Sequence, residues 1–213
     1  SADPLKQSPP PVRSGRGFHT LRKTNKNENT KMSNLKEGQL LLKNSRLGYP
    51  KLFTPEGIKG DPTSKPRYGC AIYVPKTDVK AKAAIDAEIG RLAKIHFKGK
   101  IPKSKDLFLT DGDGEDGDEN TAGFWIVSAN RAESQKRPQV VDKDGRTPLD
   151  SQDTKPYAGC RCNFLVSAYV PKNWAKICAV LEIVQFVGDD DPFGAGTVKA
   201  ADVMPDLSED EDE

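Results

Sequence analysis

Two apolar runs late in the chain, Gly159 to Val170 (GCRCNFLVSAYV) and Ile177 to Val187 (ICAVLEIVQFV), constrain the fold more than any other stretch. Both are strand-sized, and together they hold too many β-branched and aromatic residues to stay unpaired in water. Only a short connection that begins Pro-Lys-Asn-Trp separates them, so they predict an antiparallel hairpin at the centre of a sheet.

Other strands follow from the same reading. Gln39 to Leu47 predicts the first, with Gly48 to Pro55 bending or continuing it. Arg67 to Val74 predicts the second, with Tyr68, Cys70, Ile72 and Val74 on one face and Arg67, Gly69, Ala71 and Tyr73 on the other. Leu107 to Thr110 starts a third. Ala122 to Arg131 predicts the next, alternating Phe124, Ile126 and Ser128 against Trp125, Val127, Ala129 and Arg131, and Gln139 to Val141 is a short apolar run. After Pro75, Thr77 or Asp78 can accept free helical amides as an N-cap, and Ala81, Ile85, Ile89 and Leu92 then form one apolar stripe. Lys80, Arg91 and Lys94 take the solvated side, and His96 ends the helix in a structural role. The inventory is mainly β, with five or six strands and one sizeable helix. It fits a five-stranded barrel of the oligonucleotide-binding (OB) type, since closure removes exposed edges; an open α+β sheet with the helix on one face is the alternative.

Charge divides the chain into three parts. Residues 1–31 carry seven basic residues against Asp3 and Glu28 and too little apolar surface to offset ordering, so they read as a disordered arm. Met32-Ser-Asn-Leu resembles a natural start, which makes the arm a candidate for added sequence; a basic arm touching nucleic acid is the other reading. Residues 32–188 form the folding domain. Residues 189–213 hold ten acidic residues and only Lys199, whereas the 188 residues before them hold 32 Lys or Arg against 21 Asp or Glu. A positive body attracts polyanions, and a flexible negative tail can compete with them or recruit another protein.

Several motifs invite chemistry that the spacing denies. Cys70, Cys160, Cys162 and Cys178 lack paired C-x-x-C knuckles and read as buried thiols rather than a zinc site. The acidic run from Asp111 to Asn120 places Asp116 and Ala122 where an EF-hand loop needs Gly and Glu, so it reads as a mobile hairpin tip. No G-x-S-x-G, Walker loop or H-E-x-x-H occurs, and His19 and His96 are the only histidines. Neither a catalytic residue, a cofactor nor a metal is expected, and no run reaches the length of a membrane span.

Cations and aromatic rings, in contrast, are interleaved in the manner that sequence-tolerant binding of single strands requires, with phosphates on cations and bases on flat rings. Arg46 lies near Tyr49 and Lys51; Lys65 and Arg67 near Tyr73; Trp125 near Arg131; Tyr157 near Arg161; and Trp174 stands in a turn. Lys43, Lys136 and Arg137 are further phosphate candidates, although each of these cations could equally be a solvated surface charge. Tyr73 and Trp125 share faces with basic or small residues and are the leading stacking candidates, while Tyr68 and Phe124 read as core.

The ordered pieces Phe124-Trp-Ile-Val-Ser-Ala129, Arg137-Pro-Gln-Val-Val-Asp142 with Asp144-Gly145, Tyr157-Ala-Gly159, and Leu181 to Asp189 ending at Pro192-Phe193-Gly194 resemble a known family. They are similar to the tailed-phage single-stranded DNA-binding proteins, long without an assigned function, whose fold resembles the T7-type helix-destabilising protein. The resemblance runs from about Gly38 to Gly196. It implies an OB-fold, binding to single strands, and a role in phage DNA replication, recombination and repair in the cytoplasm of the bacterial host. Two departures stand out. The helix follows the second strand, earlier than in the commonest barrel order, and the acidic-aromatic motif Asp189-Asp190-Asp191-Pro-Phe193 is internal, with Asp206, Glu209, Asp210, Glu211, Asp212 and Glu213 beyond it.

The expected function is therefore single-stranded DNA binding, with tail residues Asp189 to Glu213 competing with DNA and contacting replication or recombination proteins. Single-stranded RNA is a second possible ligand, because stacking reads neither sugar nor sequence, and a homodimer is compatible with the chain. The alternative function is a protein-interaction module or acidic chaperone that holds basic proteins through its tail.

Overall fold

The computed structural model describes residues 35–57, 60–115, 117 and 120–193. The N-terminal arm and the tail from Gly194 onward, with Asp206, Glu209, Asp210, Glu211, Asp212 and Glu213, lie outside the described residues, as do Asp116, Asp118 and Glu119 of the acidic run. The elements in chain order are β1 (Gln39–Glu56), β2 (Arg67–Pro75), α1 (Val79–His96), β3 (Leu109–Asp111), β4 (Phe124–Ala132), β5 (Gln139–Val141), β6 (Arg161–Tyr169) and β7 (Cys178–Gly188).

Five of the strands close on one another in the order β4-β2-β1-β6-β7, and a parallel contact of Ala129 with Ala179 returns β7 to β4. The predicted hairpin is present, with β6 and β7 antiparallel from Arg161–Gly188 to Tyr169–Cys178. β3 and β5 are short additions on β4 and β7. The described residues thus form a closed barrel with one α-helix, and the open-sheet alternative falls because the ring is complete.

The question of whether the first strand bends or continues has a physical answer. β1 runs 18 residues, pairing with β6 through its first half and with β2 through its second. A strand that serves two neighbours around a small barrel must coil sharply. It does so at register shifts between Leu42 and Ser45 and between Gly48 and Lys51, where Asn44 (φ 48°) and Tyr49 (φ 45°) adopt the left-handed conformation. Gly48 is required there, because a Cβ would lie 2.2 Å from the Tyr73 ring.

The inward residues alternate as a half-buried strand demands, with Leu42, Leu47, Ile72, Val74, Val127, Phe164, Val166, Leu181 and Val184 essentially inaccessible. Ile85, Ile89 and Leu92 of α1 are buried with them, and the helix packs on β1 and β6. Asp78 is the N-cap, its side chain accepting from the Ala81 amide at 3.0 Å. Arg91 does more than face solvent: it clasps Glu88 in a two-point contact and reaches Glu37 at 2.7 Å, fastening the segment before β1 to the helix. Cys70, Cys160 and Cys162 are buried free thiols, the last two with sulfurs 3.6 Å apart, and Cys178 is half-buried. The described part of the acidic run is pinned, since Asp111 and Asp113 both hold the Lys76 ammonium; the expected mobile tip concerns the residues outside the description.

Candidate nucleic-acid interface

The outer face of β2 and β4 forms the floor of a groove of about 510 Å³, walled by the β1–β2 loop. Gly69, Ala71, Ser128 and Asn130 are small enough to keep this floor low. Four expected residues come together around it: Tyr49, Lys51, Lys65 and Arg67. Tyr49 is 71% exposed, held outward by the left-handed bulge of β1. A large ring kept in water on left-handed backbone costs stability and contributes none. Lys51 pairs with the exposed Glu56 at 3.3 Å and donates to the Gly57 carbonyl at 3.4 Å, surface contacts weak enough for a phosphate to replace.

The groove continues into a second one of about 220 Å³, which shares Arg67, Ser128 and Asn130 and adds Tyr169, Lys105 and Lys176. These three were not among the expected site residues. Tyr169 could have been found, because it is the outward residue at the end of an otherwise alternating run; burial raises its phenol pKa. Lys105 and Lys176 come from loops far apart in sequence, joined by a parallel bridge of Leu107 with Ile177, whose amide donates to the Asp106 carbonyl at 2.9 Å, and by the Lys176–Asp106 ion pair at 3.6 Å.

A second gathering of expected residues lies at another part of the barrel surface, and it is occupied. Asp189–Phe193, a strap following β7, crosses Gly159 with the Phe193 amide donating to the Ala158 carbonyl at 3.1 Å. Gly159 (φ 105°) is the only residue type that fits, because a Cβ would sit 2.3 Å from the Asp191 carbonyl oxygen. Asp190 lies 2.8 Å from Arg161 and 3.6 Å from Arg46, within ion-pair reach of both guanidiniums but poorly aligned for hydrogen bonding. Arg46 also donates to the Gly159 and Asp191 carbonyls. The Tyr157 hydroxyl is shared between Asp189 Oδ1 (3.1 Å) and the Asp190 carbonyl (3.2 Å). Phe193 packs 4.6 Å from the Tyr73 ring and 4.1 Å from the Arg46 guanidinium. Phe193, the aromatic residue of the internal acidic-aromatic motif, is therefore packed within its own chain.

This overturns Tyr73 as an exposed stacking ring. The alternation placed it on the outer face correctly, but the strap, Gly48 and an edge-on Phe124 at 5.9 Å leave it 3% exposed. Phe124, expected in the core, belongs to this outer cluster instead. Trp125 is covered too, with Lys76 at 4.5 Å and Lys82 at 4.4 Å from its ring, and it packs on the core below the helix. Arg131 donates to the Leu181 carbonyl at 3.1 Å and pairs with Glu182 at 2.8 Å, just beyond the point where β4 meets β7. It satisfies the barrel seam rather than facing the groove. Lys43 lines a different depression with Arg161, at the β2–α1 end. Lys136 and Arg137 are exposed on a loop, the latter 6.0 Å from the Phe53 ring, and Trp174 is 62% exposed in the β6–β7 turn. Among the described residues, no group of three or more His, Cys, Asp or Glu side chains could hold a metal ion.

The arrangement has relatives. Residues 38–213 match the family model of the single-stranded DNA-binding protein of Enterobacter phage Enc34. Protein p50 of Acyrthosiphon pisum secondary endosymbiont phage 1 is 33% identical over 185 residues, covering 82% of this chain and 97% of that one. The structure of the phage Enc34 single-stranded DNA-binding protein in complex with single-stranded DNA superposes with a TM-score of 0.64 at 30% identity, covering 75% of this chain and 91% of that one. A second structure of the phage Enc34 single-stranded DNA-binding protein gives a TM-score of 0.62 at 30% identity, covering 78% of this chain and 90% of that one.

Proposed function

The chain belongs to the family of the Enterobacter phage Enc34 single-stranded DNA-binding protein, and we propose that it binds single-stranded DNA without regard to sequence, along the β2–β4 groove, inside an infected host cell. The observation that carries this reading is Tyr49, an aromatic ring held out by strained backbone beside Lys51, Lys65 and Arg67. Rings of this kind stack bases of any identity, and the cations take the phosphates on either side. Titration with oligo-dT should give binding that weakens with salt, at a logarithmic slope of about −0.7 per phosphate neutralised. Equal affinity for duplex and single strand, or binding to neither, would overturn it.

The tail has a place in the same reading. Its first residues already lie on Arg46, Arg161 and Tyr73, so the acidic segment beyond Phe193 starts from the cationic surface of the barrel. We assign it two tasks, competing with DNA for cations and presenting acidic residues to replication proteins. A deletion that tests this must begin after Phe193, because removing Asp189–Phe193 as well would strip the strap and bare Tyr73. Truncation after Phe193 should tighten DNA binding at low salt, where screening is weakest. Unchanged affinity there would leave the tail only recruitment.

A further inference from the structure

The barrel grooves run on into a surface that the strand-binding reading has not used. Between Lys94 and Lys105 the chain carries five lysines and no acid (KIHFKGKIPKSK), forming a knuckle after the end of α1. Lys98, Lys100, Lys103 and Lys105 are all exposed, and among the described residues none has an acidic partner. An unpaired cluster of like charge repels itself and destabilises the fold unless an anion relieves it. The knuckle is also built rather than loose: the Phe97 and Gly99 amides both donate to the Ala93 carbonyl, at 2.8 and 2.9 Å. Lys98 (φ 54°) holds the left-handed conformation that a helix end usually assigns to glycine or asparagine.

Charge alone would suit any polyanion, and two further observations narrow the choice. The knuckle encloses a groove of about 450 Å³ with an apolar floor of Phe97, Pro102 and the 55%-exposed Ile101, facing Ala175 of the β6–β7 turn. The neighbouring Trp174 is exposed, with the Lys176 ammonium 5.6 Å from its ring. Lys105 and Asp106 line both this groove and the one containing Arg67 and Tyr169. One path therefore leads from Tyr49 across the barrel to the knuckle.

We infer that the knuckle at Lys98–Lys103, with Trp174, is a second segment of the single-strand site, which takes the strand where it leaves the barrel groove. The lysines neutralise phosphates, and Trp174 gives the outgoing bases a ring. This rests on the proposed function of the barrel groove and goes beyond it by assigning a length of strand that the barrel does not hold.

The test compares two oligo-dT lengths, about six nucleotides to fill the barrel groove and about 20 to pass beyond it. The full chain is measured beside a variant carrying Lys98→Gln, Lys100→Gln and Lys103→Gln. Lys105 is left in place because it also lines the barrel groove. For the longer oligo, loss of three phosphate contacts should lower the logarithmic salt slope by about 2 and the affinity on the order of 100-fold at about 0.1 M salt; the short oligo should bind as before. Trp174→Ala should likewise weaken only the longer oligo, and in the unchanged chain Trp174 fluorescence should be quenched by the long oligo and not by the short one. Equal weakening on both lengths would overturn the inference, placing the lysines in the barrel site or in the fold. Unchanged binding at both lengths would make the knuckle a solvated face. Tighter binding of the strand by the lysine variant, together with lost affinity for a synthetic peptide of residues 202–213, would make it a dock for the acidic tail. If the unchanged chain binds neither oligo, the barrel reading itself fails and this inference with it.

Discussion

On the β2–β4 face, Tyr49, Lys51, Lys65 and Arg67 stand around an open groove, whereas Arg46, Arg161, Tyr73 and Tyr157 lie beneath a strap of the same chain. The two clusters have the same chemical inventory, arginine and tyrosine on the outside of one barrel. What separates them is a segment remote in sequence: Asp191 is 145 residues from the Arg46 it contacts. In the strapped cluster a carboxylate meets the arginines and a phenyl ring meets the tyrosine, so every group has found its partner before any ligand arrives. In the open cluster Tyr49 has found none among the described residues, and its backbone is strained besides. A cation beside a ring is thus left available to a ligand only where the fold withholds an internal partner.

The comparison can be broken most severely at Gly159. Gly159→Val introduces a side chain at φ 105° and pushes against the Asp191 carbonyl, so the strap must lift. The expected loss is about 3 kcal/mol of stability, read from the urea midpoint. Full stability would mean that the strap is not part of the body.

The opposite outcome is expected at the open groove. Tyr49→Gly removes the stacking ring and relieves the positive φ, so affinity for oligo-dT should fall by about 2 kcal/mol, roughly 30-fold, while stability stays level or rises slightly. Unchanged affinity would take from the groove its central residue. A smaller effect follows for one phosphate contact. Lys65→Ala should lower the logarithmic salt slope by about 0.7, and Arg46→Ala, already committed to the strap, should leave that slope alone.

Much of the barrel was legible because its signals are local. The alternation in β2 and β4, the stripe Ile85, Ile89 and Leu92, and the Asp78 cap each lie within a few residues, and each element appears where its pattern places it. The candidate site was legible only in part. Tyr49, Lys51, Lys65 and Arg67 are near neighbours across one loop, and the structure gathers them. Tyr73, Trp125 and Arg131 were misread because their partners, Phe193, Lys82 and Glu182, arrive from other elements. Lys105 and Lys176 were missed for the same reason, since the contact of their two loops is tertiary.

The smallest effect tests how the strap is held, and it should leave the groove untouched. Burial, with the Asp189 carboxylate close by, pushes the Tyr157 phenol pKa above its ordinary value near 10. A raised pKa means that the folded chain keeps the proton to higher pH than the unfolded chain does. The stability this phenol contributes is therefore complete below about pH 10 and declines as pH rises through the folded value. Tyr157→Phe should cost about 1 kcal/mol at about pH 9, from the bonds to Asp189 and Asp190, and should flatten the alkaline decline. The flattening is partial because Tyr169, also raised by burial, still titrates. If Tyr157→Phe followed the alkaline profile of the unchanged chain, the phenol would not be holding the strap, and the docking of Asp189–Phe193 would rest on Asp190, Asp191 and Phe193.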